Sequence, residues 1–409
     1  MGAIPASVKT SMSSQERSAV PSIDEASTEE AAPSNDGLMP NRMVIFVGLF
    51  SLILLLATAL VSVTFRHFAG ITGWTSLVIP PLLTLGFVPA MLLGFRRRNA
   101  AITALYRLSA TALAFLNFAL IAALVCWIAC GITTLLGTSL NSRLLAFSLY
   151  GLAVVVTAYG LINAYWIRTT RATVALPNLP PTWRGRTLAL VSDVHLGNVR
   201  GNAFVRRIVS RLNALKPDAV LLAGDMFDGA EVDLKTVAQS WEKLAAPQGA
   251  YFATGNHDEF SDRSKFITAL TRAGVRVLHN EKLDLSGGLQ LIGVHDGEAG
   301  EPVRFRKILE RLSIAHDRAS ILLTHQPSNL TIPEAAGVSL QVSGHTHGGQ
   351  FWPWTHVVSR VHGRFAYGLN RLNSLQVLTS SGVGTWGPPI RVGTRSEIVL
   401  IRLEAETAS

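Results

Sequence analysis

The chain has 409 residues and a formal net charge of +9, and only 15% of its residues are charged. A chain of this length has room for two or three domains. No aspartate or glutamate occurs between Asp36 and Asp193. A soluble domain of that size would carry acidic side chains on its surface, so this stretch favours a lipid bilayer as its surroundings. The basic charge then belongs to membrane flanks, and we do not expect nucleic acid as a partner.

The N-terminal segment, residues 1–41, is rich in Ser, Ala, Glu and Pro and has almost no aromatic residues. Such a segment buries too little apolar surface to fold alone, so we predict a disordered tail. The apolar run that follows starts too late and is too long for a cleavable signal peptide.

Four apolar runs follow, and each meets the requirement of about 20 residues for a membrane-spanning helix. None contains a charged residue; the runs are residues 43–65, 75–95, 108–136 and 144–167. Four such runs in succession predict a transmembrane domain over residues 42–168. Pro80, Pro81 and Pro89 predict a kink in the second helix.

Basic residues are concentrated on one side of the predicted membrane domain. They are Arg42 before the first run, Arg96, Arg97, Arg98 and Arg107 after the second, and Arg168 and Arg171 after the fourth. The opposite loops hold only Arg66 and Arg143. Because basic loops stay in the cytoplasm, we predict a multi-pass protein of the plasma membrane with both termini and the C-terminal domain on the cytoplasmic side.

A proline-bearing segment, residues 169–186, is predicted to be a linker. From residue 187 to residue 403, short apolar runs typical of strands alternate with amphipathic patterns. Residues 202–215, for example, have Phe204, Ile208 and Leu212 at helical spacing. This alternation predicts an α/β domain, followed by a short tail at residues 404–409.

Polar side chains follow five of the predicted strands, where α/β folds place their sites. They are Asp193 and His195, then Asp225 and Asp228, then Asn256 and His257, then His325, and finally His345 and His347. Each group alone is a weak signal, but all five can converge on one place. Carboxylate, imidazole and amide ligands together suit Mn, Fe or Zn. Two such ions form the clamp used for phosphoryl displacement, and the Asp225 carboxylate could bridge them.

These motifs resemble the calcineurin-like metallophosphoesterase superfamily, with its Asp-X-His, Gly-Asp, Gly-Asn-His and Gly-His-X-His pattern. The resemblance covers residues 187–403. The segments 344–350 and 381–384, with Arg391, are similar to a subgroup of membrane-attached bacterial phosphoesterases. Some members of that subgroup cleave UDP-diacylglucosamine, a lipid-linked pyrophosphate.

The resemblance implies two packed mixed β-sheets flanked by helices, and two divalent metal ions. The implied ligands of the first ion are Asp193, His195 and His347, and those of the second are Asn256, His325 and His345, with Asp225 as the bridge. His257 would stay off the metals and act on the phosphate, and Asp228 would orient it. A metal-bridging hydroxide would attack phosphorus.

The expected substrate is a phosphodiester or a pyrophosphate, and a lipid-linked one is a candidate because the chain is membrane-anchored. Gly229 stands where protein phosphatases of the superfamily carry an arginine, which disfavours a phosphoprotein substrate. Arg200 and Arg391 could bind substrate oxygens, but we expect solvated side chains there. Phosphomonoesterase activity, a sensor or transport module with a phosphoesterase output, and an inactive metal-binding scaffold are the alternatives. The oligomeric state stays open.

Two further features are ambiguous. Trp352 and Trp354 directly follow the last metal motif, and together with Trp386 they either pack a loop or touch the lipid headgroups. His295 and Asp296 follow another predicted strand and could lie near the site, although a structural role is the simpler interpretation.

Overall fold

The computed structural model describes residues 41–96, 99–229, 232–259 and 263–406. The predicted N-terminal tail lies outside these residues. The predicted four spans are confirmed, since four helical segments are long and apolar enough to cross a membrane. The helices are α1 (Asn41–Ala69), α2 (Thr75–Leu85), α3 (Phe87–Arg96), α4 (Ala100–Leu135) and α5 (Ser142–Tyr165).

The second span is broken between α2 and α3, as the prolines predict. Pro80 and Pro81 lie inside α2, but the helix continues past them to Leu85. Pro89 has no amide hydrogen to donate to the carbonyl of Leu85 four residues earlier, and its ring would clash with that carbonyl. The break at Gly86 therefore follows from Pro89.

The rest of the described chain is an α/β domain built on two six-stranded mixed sheets, which confirms the predicted fold class. In spatial order, the first sheet consists of β1 (Arg168–Leu176), β12 (Glu397–Ala405), β2 (Thr187–Val191), β3 (Ala219–Ala223), β4 (Ala250–Ala253) and β5 (Val275–Val277). The second consists of β10 (Gly368–Leu372), β11 (Leu375–Thr379), β9 (Leu340–Ser343), β8 (Ser320–Leu323), β7 (Gln290–Gly293) and β6 (Glu281–Asp284).

The two sheets pack face to face, and helices cover their outer faces. Alternation along β2 shows how: Leu188 and Leu190 lie in the core between the sheets, whereas Ala189 and Val191 face the outer helices. These helices are α6 (Asn202–Leu215), α7 (Leu234–Trp241) and α8 (Arg263–Arg272) on the first sheet, and α10 (Pro302–Leu312) and α11 (Thr331–Ala335) on the second. Two shorter segments, α9 (Asp296–Ala299) and α12 (Trp354–His362), complete the domain.

The prediction of a linker over residues 169–186 is wrong in its first half. Residues 168–176 form β1, which pairs in parallel with β12 along its whole length. The same pairing carries β12 to Ala405, so the predicted C-terminal tail begins later than residue 404. An edge strand with several threonines and arginines lacks the strict apolar alternation that identifies a strand, and only its remote partner makes it one.

The domain is attached to the membrane helices by hydrogen bonds at the ends of α4 and α5. Arg107 of α4 donates to the carbonyl of Asn198 at 3.0 Å. Gly160 of α5 accepts from the amide of Arg391 at 3.0 Å, and a Cβ at Gly160 would lie 3.0 Å from the side chain of Ile390. These contacts place the β-sheet domain at the end of the helical bundle where α4 begins and α5 ends.

Candidate metal centre

The predicted polar residues lie together at the carboxyl ends of strands from both sheets. Asp193 follows β2, Asp225 follows β3, and Asn256 follows β4 of the first sheet; His325 follows β8 and His345 follows β9 of the second. Parallel strands end at the same edge of a sheet, and the face-to-face packing brings the two edges together.

The backbone at these positions is unusual. Among the described residues, twelve non-glycine residues have a positive φ, and five of them belong to this cluster. They are Asp193 (φ 53°), His195 (50°), Asp225 (52°), His345 (69°) and His347 (49°). A left-handed backbone at a non-glycine residue costs about 1–3 kcal/mol and persists where surrounding structure enforces it, which is common at functional sites.

Asp193, His195 and His347 form one half of the cluster, with one ligand atom of each within 4.8 Å of the others. The Nε2 atoms of His195 and His347 are 3.0 Å apart. His347 Nε2 lies 3.5 Å from Asp193 Oδ1, and His195 Nε2 lies 4.0 Å from the same oxygen. These are the three residues that the resemblance assigns to the first ion.

Asp225, His325 and His345 form the other half by the same criterion. Asp225 Oδ2 lies 3.2 Å from His325 Nε2 and 3.7 Å from His195 Nε2, so one carboxylate oxygen faces both halves. The other oxygen, Oδ1, accepts a hydrogen bond from the amide of His257 at 2.9 Å. Asn256 completes this half, since its Oδ1 lies 3.1 Å from His345 Nδ1.

The hydrogen bonds of two imidazoles determine which ring nitrogen carries the lone pair that points into the cluster. His325 Nδ1 donates to the carbonyl of Ala223 at 2.8 Å, and His195 Nδ1 lies 2.7 Å from the carboxylate of Asp228. Both partners are acceptors, so in the neutral ring Nε2 carries the lone pair. Histidine ligands of metals are oriented in the same way, by a carboxylate or a backbone carbonyl on the far nitrogen.

The arrangement fits divalent metal ions. His325 Nε2 is fully buried, has no hydrogen-bond partner among the described residues and faces a carboxylate oxygen. Ligand bonds of about 2.0–2.2 Å put neighbouring ligand atoms of one ion about 3.0–3.5 Å apart. The pairs His195–His347, Asp225–His325 and Asn256–His345 fall in that range.

Electrostatics at the cluster favour a positive charge between the carboxylates. Burial lowers the pKa of His195, but Asp228, Asp225 and Asp193 outweigh it and raise that pKa to about 9. Burial likewise opposes protonation of His325, yet Asp225 raises its pKa well above the ordinary value. In contrast, burial and the neighbouring His325 lower the pKa of His345 to about 3. Burial, His195 and Arg391 hold the pKa of His347 well below its ordinary value, so both rings stay neutral and able to bind a metal.

Asp228 contacts two histidines, whereas the sequence suggested one. Its Oδ1 lies 2.7 Å from His195 Nδ1 and 3.4 Å from His257 Nδ1. The shorter contact is with His195, so the carboxylate orients that ring first. His257 also lies close enough to His195 and Asp225 to form a third group of possible ligands. Burial and the nearby His195 lower the pKa of His257.

Asp258 lies beside the cluster but is not among the residues predicted from the sequence. Its buried carboxylate accepts from the amides of Phe227 and Gly255, at 2.9 and 2.8 Å, and so ties together the loops after β3 and β4. Burial and the neighbouring Asp225 raise its pKa to about 7. Its position directly after His257 was the available signal.

The expectation that Arg200 and Arg391 are solvated is wrong, since their exposed fractions are 1% and 0%. Arg391 donates to the carbonyls of Ser381 and Gly384, and its Nη2 lies 3.2 Å from His347 Nδ1. Arg200 donates to the carbonyl of Ala164 at the end of α5 and stacks on Tyr165, with its Cζ 4.2 Å from the ring centroid. The guanidinium of Arg391 is therefore used within the protein, whereas Nε and Nη1 of Arg200 are buried without a hydrogen-bond partner among the described residues.

His295 and Asp296 are buried beside the loop after β4, and Asp296 lies close enough to the cluster for His325 and Asp225 to influence its pKa. His295 Nδ1 lies 2.9 Å from the hydroxyl of Thr254, and Asp296 accepts from Gln326 at 3.0 Å. Two other side chains flank the cluster more closely. The rings of Trp386 and His257 are 5.5 Å apart, and those of His362 and His345 are 6.3 Å apart.

Residues 186–349 match the family model of the calcineurin-like phosphoesterases. A transmembrane protein with metallophosphoesterase domain from Danio rerio is 33% identical over 274 residues, which are 62% of this chain and 62% of that protein. The protein of the same description from Bos taurus is 33% identical over 278 residues, again 62% of each chain. An uncharacterized metallophosphoesterase from Campylobacter jejuni is 31% identical over 237 residues, 57% of this chain and 62% of that protein.

The match spans about three fifths of the length of these curated relatives. It includes the strands and loops that carry every residue of the cluster. These relatives are described as metallophosphoesterases, and divalent ions fit the geometry described above. Residues 186–349 therefore resemble the calcineurin-like phosphoesterases, and they follow four apolar helices that are able to span a membrane.

Proposed function

We propose that this protein is a membrane-anchored hydrolase that uses two divalent metal ions to cleave a phosphodiester or pyrophosphate bond. Asp193, His195 and His347 would hold one ion. Asn256, His325 and His345 would hold the other, and Asp225 would join the two. The observation that carries the proposal is the fully buried His325 Nε2, which forms no geometric hydrogen bond among the described residues and lies 3.2 Å from the Asp225 carboxylate. Two ions there would supply a nucleophile at neutral pH and neutralise charge on the phosphoryl oxygens.

The protein's own groups have separate parts in this reaction. Asp228 and the carbonyl of Ala223 hold His195 and His325 in the orientation that presents Nε2 to the cluster. His257 is only partly buried and lies at the outer side of the cluster, so it can hydrogen-bond a phosphate oxygen or the leaving oxygen. Its lowered pKa favours the neutral ring, which still has one N–H to donate.

We propose further that the site faces the cytoplasm. The domain contacts the N-terminus of α4 through Arg107 and the C-terminus of α5 through Gly160. Those helix ends are flanked by Arg168, Arg171 and the basic residues before α4. Basic flanks remain on the cytoplasmic side, which supports the same side for the phosphoesterase domain.

A lipid-linked substrate is the finer part of the proposal. The side-chain amide of Asn117, on the spanning helix α4, donates to the backbone carbonyl of Trp352 at 3.1 Å. The indole nitrogen of Trp354 donates to the side-chain oxygen of the same asparagine at 3.2 Å. Trp354 begins α12, and the last residue of α12 is His362, beside His345. One short helix thus connects a spanning helix with the cluster. A substrate whose phosphate is attached to a lipid would meet this site without leaving the bilayer surface.

The test is hydrolysis of bis-p-nitrophenyl phosphate against p-nitrophenyl phosphate by the purified full-length protein with Mn²⁺. Asp225→Asn is expected to lose both activity and bound metal, whereas His257→Ala is expected to lose activity and keep the metal. His316→Ala is the matched control, because His316 is exposed and precedes β8, at the strand end opposite the site.

Cleavage of the diester that disappears in both variants supports the proposal. Preference for the monoester would favour a phosphatase instead. Full activity in Asp225→Asn would refute the proposed site, and loss of metal from His257→Ala would make His257 a ligand.

A further inference from the structure

A cavity of about 590 Å³ lies between the C-terminal end of the spanning helix α5, the helix α12 and the start of β12. Its wall includes Tyr159, Asn163, Arg168, Ser359, Tyr367 and Arg395. None of these side chains is among the residues of the candidate metal centre.

The position of the cavity corresponds to the level of the lipid headgroups. Tyr159 is 54% exposed on α5, and Trp166, just after α5, is 63% exposed. Tyrosine and tryptophan concentrate where a membrane meets water. The guanidinium of Arg168 stacks on Trp166, with its Cζ 4.5 Å from the ring centroid. Ser359 of α12 forms part of the opposite wall. The first residue of α12 is Trp354, whose indole nitrogen is hydrogen-bonded to Asn117 of α4.

The wall of the cavity carries a net positive charge. Arg168 Nη1 donates to Asn163 Oδ1 at 2.7 Å, and no carboxylate lies within 4 Å of it in the part of the chain that the structure describes. Asn163 is itself fixed, because its amide donates to the carbonyls of Arg391 and Thr394. Arg168 is therefore held in place by a neutral partner and keeps an unneutralised charge.

The second arginine, Arg395, is paired only in part. Its Nε lies 3.6 Å from the carboxylate of Glu397, and its side chain remains 47% exposed. Glu397 is fully buried and also accepts from the amide of Ser381 and the hydroxyl of Tyr367. Glu397 thus pairs with Arg395 and not with Arg168, and it is shared among several donors, so the two arginines leave the cavity favourable to an anion.

We propose that this cavity binds the phosphate of an anionic membrane lipid, with Arg168 and Arg395 as its charged ligands. Guanidinium groups match phosphate oxygens in two-point hydrogen bonds. The hydroxyl of Ser359 donates to the carbonyl of Thr355, so its oxygen can accept a hydrogen bond from the polar remainder of a headgroup. Exposed Tyr159 leaves the cavity open along α5, where acyl chains lie. The proposal requires membrane insertion but not hydrolysis, so its failure and the failure of the proposed enzyme activity are separate outcomes.

The experiment compares binding of phosphatidylglycerol and phosphatidylcholine with the same acyl chains to the full-length protein in a phosphate-free detergent. Native mass spectrometry counts the bound lipid, and thermal unfolding gives an independent measure. Preference for phosphatidylglycerol is expected. The Arg168→Gln, Arg395→Gln variant is expected to bind it roughly 10-fold more weakly, since each basic side chain near a membrane attracts anionic lipid.

Two further variants make the result specific. Arg371→Gln, Arg402→Gln removes the same charge from exposed arginines that pair with Glu406 and Glu404, and it is expected to bind lipid as the unaltered protein does. Ser359→Trp keeps the charge and fills the cavity from α12, where Ser359 is exposed. It is expected to weaken phosphatidylglycerol binding as the arginine variant does. If the arginine variant fails to fold, Ser359→Trp alone tests whether the lipid binds in the cavity.

Unchanged lipid preference in the cavity variants would overturn the proposal, and so would equal loss in the control variant. Inorganic phosphate is added in a parallel series. Displacement of phosphatidylglycerol by inorganic phosphate at millimolar concentration would assign the cavity to a soluble phosphate compound and overturn the lipid assignment.

Discussion

The substitution Gly255→Ala tests whether the position of the Asp225 carboxylate controls the metal centre. An added Cβ at residue 255 would lie 2.2 Å from Asp225 Oδ1 and 2.5 Å from its backbone nitrogen. The oxygen must therefore retreat by about 1 Å to reach an ordinary contact distance. Metal sites tolerate displacements of about 0.2 Å, so the carboxylate can no longer serve both halves of the cluster.

The expected result is loss of bound metal and a decrease of at least about 100-fold in phosphodiester hydrolysis, as for other misplacements near 1 Å. Overpacking would also lower the free energy of unfolding by about 1–3 kcal/mol. Metal content by mass spectrometry, hydrolysis of bis-p-nitrophenyl phosphate and the thermal midpoint are measured on the same preparation.

Gly151→Ala is the matched control, because a Cβ at that position in α5 meets nothing within 4 Å. It is expected to leave all three measurements unchanged. A Gly255→Ala protein with the metal content and rate of the unaltered protein would refute the reasoning, since Asp225 would then have moved without consequence.

Three further predictions concern the membrane side, the buried arginine and the aromatic residues. In a background whose two native cysteines are replaced by alanine, Ser374→Cys is expected to react with an impermeant maleimide only after permeabilisation. Thr138→Cys, in the loop between α4 and α5, is expected to react in intact cells, and the reverse pattern would contradict the cytoplasmic orientation. Arg391→Met is expected to reduce the free energy of unfolding by about 3 kcal/mol, because buried carbonyls lose their donor; an unchanged thermal midpoint would show that those hydrogen bonds contribute little. Trp352→Ala, Trp354→Ala is expected to slow turnover of UDP-2,3-diacylglucosamine but not of bis-p-nitrophenyl phosphate, and equal loss of both would exclude a role in lipid access.

The sequence alone predicted the four spans and the strand ends that carry the cluster. Span prediction needs only length and hydropathy, because a bilayer imposes the same requirement on every helix that crosses it. The cluster residues occur at the ends of short apolar runs, and parallel strands bring such ends together whatever the details of packing. The kink in the second span likewise follows locally, from the missing amide hydrogen of Pro89.

Only the tertiary structure decided features that depend on partners distant in the sequence. β1 is a strand because β12, more than 200 residues later, supplies its hydrogen bonds. Arg391 is buried because carbonyls of the loop after β11 surround it, and Arg200 because the end of α5 covers it. The division of Asp228 between His195 and His257, and the cavity that Arg168 shares with Arg395, also arise from packing. Local sequence specifies which groups are present, but their charges and hydrogen bonds take effect only at distances that the folded chain sets.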